Sequence, residues 1–544
     1  MSELKQLPTG IQTFEKIREG NYRYVDKTDL VFRMAHDNSY VFMSRPRRFG
    51  KSLLCSTLKS YFEGRRDLFE GLAIEKLEKD WRKHPVLLIS LAPIKGGTLE
   101  DFNERMGLQL SRLEEQFGLS DNSGMMPGAR LEKLITETSK KEKAVVIVDE
   151  YDAPMLTVLH DKEKLEDMRN ATRSLLSCLK DCDPYLRFVF ITGITRFSQV
   201  SSHTPIRAHD WTFSELNNLS KVTMMTDYSA ICGFTQEELE TQLRPWVEKL
   251  ADSRGMSIEE TLSELKRRYD GYHFAKDLTN IYNPYSLLNA LRWKEFNDFW
   301  FDSGTPSSLL RMMERYGSDV MLFDDGCNCE SAEFDAPTEK MQTPLPFFYQ
   351  SGYLTIKEYD ATTNRFILRF PNYEVRMGMI NALVPYYMEQ NTINAKNIIY
   401  DLFKAIRSDD LEMGLQKLQT YLASVPYAEN ANSEGHYQTM LYVVFSLLGR
   451  YVQMEVRTAK GRIDIVFETK TDRYVMELKI DRPAQEALDQ IDHKGYLLPY
   501  TLDSLHLHKV GISFSTETRT LSEWKIERVK SSLQAKRRKR RAKN

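Results

Sequence analysis

Over residues 1–232, short apolar and β-branched runs alternate with stretches that have a helical apolar period. This alternation is typical of a parallel sheet covered by helices. The run AVVIV at 144–148 has no polar alternation, as expected for a strand buried on both faces. The pattern predicts five strands, at Ser39–Ser44, Val86–Leu91, Ala144–Val148, Arg187–Thr192 and Val222–Met225.

Beyond residue 232 the apolar pattern becomes helical. Thr235 and Glu238 have the spacing of a capping box ahead of an apolar helical period. Residues Phe323–Pro346 are rich in Asp, Cys and Pro and are predicted as a loop, in which Cys327 and Cys329 are either free thiols or a metal or redox pair. Two strands, Tyr353–Tyr359 and Arg365–Phe370, follow around the turn ATTN. A small winged-helix-like module is therefore predicted after the helices.

A third pattern begins near residue 394 and consists of a helix, three strands, a second helix and a fourth strand. This order describes one compact α/β domain. The predicted elements are His436–Leu448, Val452–Arg457, Arg462–Glu468, Arg473–Ile480, Pro483–Tyr496 and Leu505–Ser513. The whole chain is thus predicted as a multidomain α/β protein, with segments 1–232, 233–393, 394–530 and a disordered basic tail at 531–544.

Composition narrows the class of protein. The chain has 544 residues, of which 41% are hydrophobic and 28% charged, and this composition is ordinary for a globular protein of several domains. No apolar run approaches the roughly 20 residues that span a bilayer, and the start MSELKQLPTG lacks a secretory signal. The six cysteines have neither disulfide-scaffold density nor zinc-site spacing. We therefore expect a cytoplasmic protein with no membrane segment.

A phosphate-binding loop is indicated by SRPRRFGKSLL, which follows an apolar strand and opens into a helix. Backbone N–H groups of such a loop surround phosphate oxygens, its lysine reaches the β and γ phosphates, and the next hydroxyl ligates Mg²⁺. The general pattern GxxxxGK[ST] has glycine where this chain has Arg45. The residues predicted to bind nucleotide here are Arg48, Phe49, Gly50, Lys51 and Ser52.

The segment VVIVDEYD supplies the other half of a nucleotide site. Asp149 ends a buried strand and Glu150 follows it; in P-loop ATPases the first carboxylate holds Mg²⁺ and the second polarises the attacking water. The pair alone could equally form a turn, but its combination with the loop favours a nucleotide site. Thr192, which ends a third strand, is a candidate contact to the γ-phosphate or the water, while Arg196 is as well suited to a structural ion pair. No NKxD sequence is present, so ATP is preferred over GTP.

The segment GRIDIVFETKTDRYVMELKI predicts a hairpin with a second site. Strand alternation places Glu477 and Lys479 on one face, and Asp464 on the face opposite to its apolar neighbours. The carboxylates would hold Mg²⁺ or Mn²⁺, and the lysine would orient water or stabilise the transition state of phosphodiester hydrolysis. Glu434 and Gln490, near or on the flanking helices, are candidates to face the same metal. The alternative is a solvated sheet face with a cross-strand ion pair.

Nine segments together resemble one bacterial and archaeal family. They are YVDKTDLV, SRPRRFGKSL, VVIVDEYDAP, TGITRFSQVS, NNLS, YDGYHF, YNPYSLL, GRIDIVFE and MELK. The family is the AAA-ATPase-like proteins whose C-terminus belongs to the PD-(D/E)xK nuclease superfamily. The resemblance implies an AAA-type P-loop domain, a helical and winged-helix-like middle, and a restriction-endonuclease-like C-terminal domain.

The resemblance also assigns roles to individual residues. It implies an ATP site at Lys51, Ser52, Asp149 and Glu150, and a nuclease site at Asp464, Glu477 and Lys479. The stretch Ser202–Thr212 is longer than the family's usual link, and the basic tail is not a family feature. The leading hypothesis is an ATP-regulated nuclease that uses Mg²⁺ and acts on nucleic acid, with DNA preferred over RNA. The alternative is a nucleotide-dependent switch whose nuclease-like domain binds nucleic acid or a protein without cleaving; the oligomeric state stays open.

The last nine residues, KRRKRRAKN, carry seven positive charges on a chain whose net charge is -2. A tail of this kind attracts nucleic acid phosphates, serves as a nuclear address or keeps the protein soluble. Deleting Lys536–Asn544 is expected to weaken nucleic acid binding and to flatten its salt dependence, because each phosphate contact contributes about 0.9 to the slope. The measurement is log K against log salt concentration. The control is a tail of equal length with Ser at each basic position. If the deletion leaves the slope unchanged, the tail does not bind nucleic acid and its role is to keep the protein soluble.

Overall fold

The structure, a computed structural model, describes residues 4–529 except 95, 160, 196–218, 303–311, 314–322, 325, 331–332, 336–342, 388–403, 406–407, 409, 425–451, 459–460, 469–470 and 502–504. The chain divides into two compact units. The first unit is residues 1–318 with 326–376, and the second unit is residues 319–325 with 377–544. Among the described residues, no helix is both long enough and apolar enough to cross a bilayer.

The first unit contains eight strands and fifteen α-helices within its described residues. The strands are β1 (Tyr40–Ser44), β2 (Val86–Ser90), β3 (Ala144–Asp149), β4 (Leu186–Gly193), β5 (Ser220–Lys221), β6 (Cys327–Glu330), β7 (Thr355–Asp360) and β8 (Arg365–Arg369). The helices are α1 (Phe14–Glu19), α2 (Thr28–Asp37), α3 (Lys51–Phe62), α4 (Ala73–Leu77), α5 (Leu99–Gln116), α6 (Pro127–Thr138), α7 (Ala153–Thr157), α8 (Lys162–Leu176), α9 (Cys178–Asp181), α10 (Gln236–Gln242), α11 (Arg244–Arg254), α12 (Ile258–Tyr269), α13 (Pro284–Trp293), α14 (Phe299–Asp302) and α15 (Leu345–Ser351).

The predicted parallel sheet is confirmed, with strand order β2-β3-β4-β1-β5. All four strand pairs are parallel, and β4 lies between β1 and β3. Every residue of β3 is buried, as the unbroken apolar run predicted. Because parallel strands end at the same edge of a sheet, Ser44, Asp149 and Gly193 lie along one edge. This edge positions the phosphate loop and the carboxylates close together.

A fifth strand is present, as predicted, but its predicted bounds, Val222–Met225, are wrong, because β5 contains only Ser220 and Lys221. After those two residues the backbone forms other bonds. The Thr223 hydroxyl accepts from the backbone N–H of Ser44 at 2.9 Å, and the Thr223 carbonyl accepts from the Arg45 guanidinium at 2.8 Å. The chain therefore leaves the sheet to bind the start of the phosphate loop.

The helical middle is confirmed, and its helices begin at strong capping signals. Thr235 and Ser257 each form a capping box with the glutamate three residues later. A separate apolar core, which includes Leu239, Leu250 and Leu265, packs these helices together. The region thus has its own core beside the parallel sheet.

The predicted hairpin after the helices is also confirmed, as β7 and β8. The prediction of a loop over Phe323–Pro346 is wrong at Cys327–Glu330, because these residues form β6 and pair antiparallel with β8. Cys329 lies opposite Phe366 and is fully buried, which explains why this short segment pairs with the sheet. Neither cysteine forms a disulfide, and the described residues contain no cluster of three metal-ligating side chains.

Helix α16 spans Tyr373–Tyr387. The second unit contains α17 (Leu411–Ser424), β9 (Val452–Thr458), β10 (Gly461–Glu468), β11 (Asp472–Ile480), α18 (Ala484–Lys494), β12 (His506–Ser515) and β13 (Thr520–Arg528). The predicted order of three strands, helix and strand is confirmed, whereas β13 was not predicted. The predicted helix His436–Leu448 lies outside the described residues.

The sheet of the second unit has the order β13-β12-β11-β10-β9. Only β11 and β12 are parallel, and α18 forms the crossover between them. Gly511 in β12 allows α18 to approach closely, because a Cβ there would lie 2.2 Å from the Ala484 carbonyl oxygen. The absence of a side chain at Gly511 thus lets α18 lie directly on the strands that carry the predicted nuclease residues.

Candidate functional site

The phosphate loop connects β1 to α3 and turns sharply before the helix begins. Arg48 and Gly50 both have left-handed backbone conformations, with φ of 65° and 92°. Glycine suits this conformation, whereas an arginine there is strained. Gly50 is the N-terminal cap of α3, and Lys51 is the first helical residue. The loop therefore presents the N-terminus of a 12-residue helix, where backbone N–H groups favour anions.

Arg45, which stands where the general loop pattern has glycine, is fully buried and turned away from the phosphate region. Its guanidinium donates to the carbonyl oxygens of Ser44 at 2.9 Å, Thr223 at 2.8 Å and Tyr228 at 2.9 Å. It also lies 4.3 Å from the ring centroid of Phe274. A buried charge is tolerated only when such bonds replace its water. The departure from the pattern therefore fastens the loop and leaves the phosphate region open.

Lys51 is buried at the centre of the site. Its ammonium donates to the carbonyl oxygens of Arg45 and Pro46, both at 2.9 Å. Burial lowers the pKa of Lys51, and the nearby Asp149 and Glu150 carboxylates act in the opposite direction. The lysine is thus held between the oxygens of its own loop and the acidic end of β3.

Asp149 and Glu150 stand at the end of β3. Asp149 is buried, and its Oδ1 has no hydrogen-bond partner among the described residues. Glu150 has a left-handed φ of 51°, and burial, followed by the Asp149 charge, raises the pKa of its carboxyl. Strained backbone of this kind clusters at functional positions. An unbonded carboxylate oxygen next to a phosphate loop has the chemistry of an Mg²⁺ ligand, so the residues present fit this cation.

A cavity of about 740 Å³ opens beside the loop. The predicted residues that line it are Arg48, Phe49, Gly50, Lys51, Ser52 and Glu150. The ring of Phe49 packs edge-on against Tyr272, with ring centroids 4.8 Å apart, so this residue also contributes to the core. Thr192 does not line the cavity: it is fully buried, and its hydroxyl donates to the Met43 carbonyl at 2.7 Å. Arg196 and the stretch 202–212 lie outside the described residues.

Asp152 is a further residue of this site, and its role was not predicted from the sequence. It lines the cavity and is fully buried, and its Oδ2 accepts from the backbone N–H groups of Ile194 and Thr195 at 2.9 and 2.6 Å. Its Oδ1 has no hydrogen-bond partner among the described residues, and burial raises the pKa of the carboxyl. Asp152 thus joins the loop after β4 to the end of β3. The sequence feature that could have indicated Asp152 is its place as the third acidic residue of VVIVDEYD.

The apolar wall of the cavity was also missed. It comes from the N-terminal segment and from the helical middle of the first unit, and includes Ile11, Tyr24, Val25, Leu243 and Leu288. An ion pair at 2.5 Å between Lys27 and Glu238 joins these two segments. From the sequence alone, the segment YVDKTDLV contributed only to the family resemblance. Tyr24 and Val25 of this segment lie on the apolar wall, and such a surface suits contact with a nucleobase.

Trp300 ties the phosphate loop to the remainder of the first unit. Its indole N–H donates to the Arg47 carbonyl at 3.1 Å, and its backbone N–H donates to Glu374 Oε1 at 2.7 Å. The Ser286 hydroxyl donates to the same oxygen at 3.0 Å. Burial raises the pKa of Glu374 to about 8. The loop is therefore connected to a buried carboxyl that is mostly protonated at neutral pH.

The second unit brings together three predicted nuclease residues. In the antiparallel pair β10 and β11, Asp464 Oδ2 accepts from the backbone N–H of Leu478 at 2.8 Å. The Lys479 ammonium lies 3.3 Å from Glu477 Oε1 and 2.7 Å from Gln490 Oε1, and the Gln490 amide donates to Glu477 Oε1. Asp464, Glu477 and Lys479 thus share one face, and α18 supplies Gln490 to it.

The charge and hydrogen bonding of the Asp464 and Glu477 carboxylates determine whether this face can bind a metal ion. Glu477 is buried, its Oε2 has no hydrogen-bond partner among the described residues, and burial together with the Asp464 charge raises its pKa to about 8. Two carboxylates, one with an unbonded oxygen, fit a hard cation such as Mg²⁺ or Mn²⁺. No third His, Cys, Asp or Glu joins them among the described residues, and Glu434 lies outside those residues.

A parallel sheet with a phosphate loop and a mixed sheet with paired carboxylates are the features of a P-loop ATPase-like region and a nuclease-like region. Residues 8–202 match the family described as Predicted AAA-ATPase, and residues 432–524 match the PD-(D/E)XK nuclease superfamily. The chain belongs to the AAA-ATPase-like family whose C-terminal region is of the PD-(D/E)XK superfamily. It is 34% identical over 547 residues to an uncharacterized protein in the vnfD 5′ region of Azotobacter chroococcum mcd 1, an alignment that covers 96% of this chain and 99% of that protein.

The Glu374 carboxyl predicts a pH dependence of stability. Because its folded pKa of about 8 lies above the ordinary 4.5, the fold favours the protonated form. The wild-type free energy of unfolding is therefore expected to fall, relative to that of Glu374→Gln, as the pH rises from 4.5 through about 8. Denaturant titrations across this range measure the difference. Glu166→Gln, at an exposed position, is the control; a constant difference between wild type and Glu374→Gln would rule out the buried titration.

Proposed function

We propose that this protein hydrolyses ATP with Mg²⁺ in its first unit and uses that cycle to control a metal-dependent nuclease in its second unit, with DNA preferred over RNA. One observation carries the proposal. Each unit contains a buried carboxylate oxygen without a hydrogen-bond partner among the described residues, at Asp149 and Glu477, and each carboxylate interacts with a nearby lysine. This is the arrangement that a divalent cation and a phosphate require together.

In the ATP site, Lys51 binds the β and γ phosphates, and the N-terminus of α3 supplies backbone N–H groups. Ser52 and Asp149 hold Mg²⁺, and Glu150 polarises the attacking water. The cation, when bound, offsets charge that develops on the phosphate oxygens. The apolar wall of the cavity excludes water from the base. The exposure of Glu150 to the cavity and its raised pKa support its role as the group that receives a proton.

In the nuclease site, Asp464 and Glu477 hold Mg²⁺ or Mn²⁺, which activates water when bound. Lys479 orients that water and stabilises the negative charge of the transition state. Gln490 bonds to both Lys479 and Glu477 and so fixes the position of the ammonium. The bond from Leu478 to Asp464 holds the first carboxylate in place. The site therefore has metal ligands, a cation and a residue that aligns them.

The second candidate function is a nucleotide-dependent switch whose second unit binds nucleic acid or a protein without cleaving. Two features of the second unit favour it. Only two metal-ligating side chains meet among the described residues, and a Glu477 carboxyl with a pKa of about 8 is mostly protonated at neutral pH. Both features weaken cation binding. Incubation with DNA and RNA, with and without ATP, Mg²⁺ or Mn²⁺, separates the two functions.

The ATP site is tested by two variants. Lys51→Ala is expected to weaken ATP binding because it removes a charge from the phosphates. Glu150→Gln is expected to keep ATP binding and to lose hydrolysis, by about 10² to 10⁴-fold, because the water loses its general base. Equilibrium titration measures binding, and phosphate release measures turnover. Equal turnover in wild type and Glu150→Gln would exclude this glutamate as the group that polarises water.

The nuclease site is tested by Asp464→Ala and Lys479→Ala, each of which is expected to abolish metal-dependent strand cleavage and to leave ATP hydrolysis largely intact. Excess Mn²⁺ is expected to restore part of the activity of Asp464→Ala, which has lost a ligand, but none of that of Lys479→Ala. The matched controls are Asp489→Ala and Lys494→Ala, two exposed positions on α18. If both site variants cleave at the wild-type rate, the cleavage activity does not come from this site. If the wild type turns over ATP but does not cleave nucleic acid, the switch function is favoured.

A further inference from the structure

We propose that Arg47, in the phosphate loop itself, contacts the γ-phosphate during ATP hydrolysis, so that each chain supplies its own catalytic arginine. This inference rests on the proposed ATPase function. Arg47 lines the cavity together with Lys51 and Glu150, and its side chain is exposed. It lies two residues after the buried Arg45, whose side chain has a structural role.

Five cationic side chains line the cavity, namely Arg23, Lys27, Arg47, Arg48 and Lys51. Four of them are already engaged. Lys27 pairs with Glu238 at 2.5 Å, Arg23 lies 3.5 Å from the Gln242 side chain, and Lys51 donates to loop carbonyls. Arg48 lies 4.9 Å from the ring centroid of Tyr285. The guanidinium of Arg47, in contrast, makes no hydrogen bond or ion pair with any residue that the structure describes.

A hydrogen bond fixes the backbone of Arg47, whereas its guanidinium makes no hydrogen bond with the described residues. The Trp300 indole donates to the Arg47 carbonyl at 3.1 Å, and Arg48, the next residue, has a left-handed φ of 65°. The position of the guanidinium is therefore limited to the reach of one side chain from a fixed backbone. Arg47 and Glu150 both line the cavity, so the two side chains face the same space. A guanidinium anchored at this point of the loop can enter the cavity that Glu150 and Lys51 also line.

The chemical step shows what this arginine would do. The water oxygen forms a bond to the γ-phosphorus while the bond from that phosphorus to the β–γ bridging oxygen breaks. The electron pair of the broken bond stays on ADP, and Glu150 receives the proton of the water. Negative charge spreads over the γ-phosphate oxygens in the transition state, and a guanidinium there stabilises it. Because Arg47 belongs to the same loop as Lys51, this stabilisation needs no second copy of the chain.

The test uses the whole 544-residue chain and its variants Arg47→Ala and Arg82→Ala. Arg82 is an exposed arginine outside the cavity, with 68% of its side chain accessible, and is the charge-matched control. Arg47→Ala is expected to lower kcat for ATP by about 10³-fold, as loss of a catalytic arginine does. Its affinity for an ATP analogue with an imido β–γ bridge is expected to fall about 10-fold. Its affinity for ADP is expected to stay at the wild-type value, which also reports that the variant is folded.

The origin of the arginine is tested by mixing Arg47→Ala with Glu150→Gln. If the arginine acts within its own chain, we expect no recovery of turnover in the mixture. We also expect the wild-type turnover per chain to be independent of protein concentration. Recovery in the mixture would show that the arginine acts on a neighbouring chain and would overturn the inference. A fall in kcat of less than 10-fold in Arg47→Ala would overturn it as well. If wild type itself turns over no ATP, the proposed ATPase function fails instead, so the two failures are distinguishable.

Discussion

The bonds of the buried Arg45 guanidinium fix the start of the phosphate loop. They join the end of β1 to Thr223, just beyond β5, and to Tyr228, so the chain must leave the sheet at one defined position. The cost of burying this charge is offset because three carbonyl oxygens replace its water. Once the exit from β1 is fixed, the start of α3 and the location of Lys51 follow. A long side chain is compatible with a phosphate loop here because it points into the core.

The two candidate sites both place a lysine next to carboxylates, although they lie in different folds. In each, a lysine lies beside carboxylates of which at least one is buried, so that the cost of burying one charge is reduced by the other. The first site achieves this at the carboxyl edge of a parallel sheet, and the second achieves it on one face of two antiparallel strands. In the second site the helix above the sheet adds the Gln490 side chain, which bonds to both partners. Gly511 is the reason that the helix lies near enough to do so.

Local pattern was sufficient to predict the parts of the fold whose structure depends on local spacing. The alternation of β11 placed Glu477 and Lys479 on one face, because side chains of a strand alternate with a period of two. The unbroken run at 144–148 predicted the buried strand β3. Capping signals predicted the start of α10 at Thr235. Each of these depends on residues that are close together in the chain.

Features that depend on distant residues could not be predicted in this way. β5 is short because Thr223 bonds to Arg45, which is 178 residues away. The Thr192 hydroxyl faces Met43 on the adjacent strand, which no pattern within its own segment shows. The bond between Trp300 and Glu374 joins residues 74 apart. Sequence spacing constrains such pairs only weakly, because the chain between them closes at a small entropic cost that grows slowly with length.

The bonds of Lys51 to the Arg45 and Pro46 carbonyls have a consequence for nucleotide affinity. In the proposed ATP site the loop would compete with nucleotide, because the Arg45 and Pro46 carbonyl oxygens accept from the ammonium hydrogens that phosphate oxygens would also need. The measured binding free energy is then the difference between two sets of bonds to one ammonium, and not the full strength of the second set. The same two carbonyl oxygens take the place of water around the buried ammonium. In the proposed ATP site, a loop of this design would exchange intrinsic affinity for a lysine that is already in place for the nucleotide.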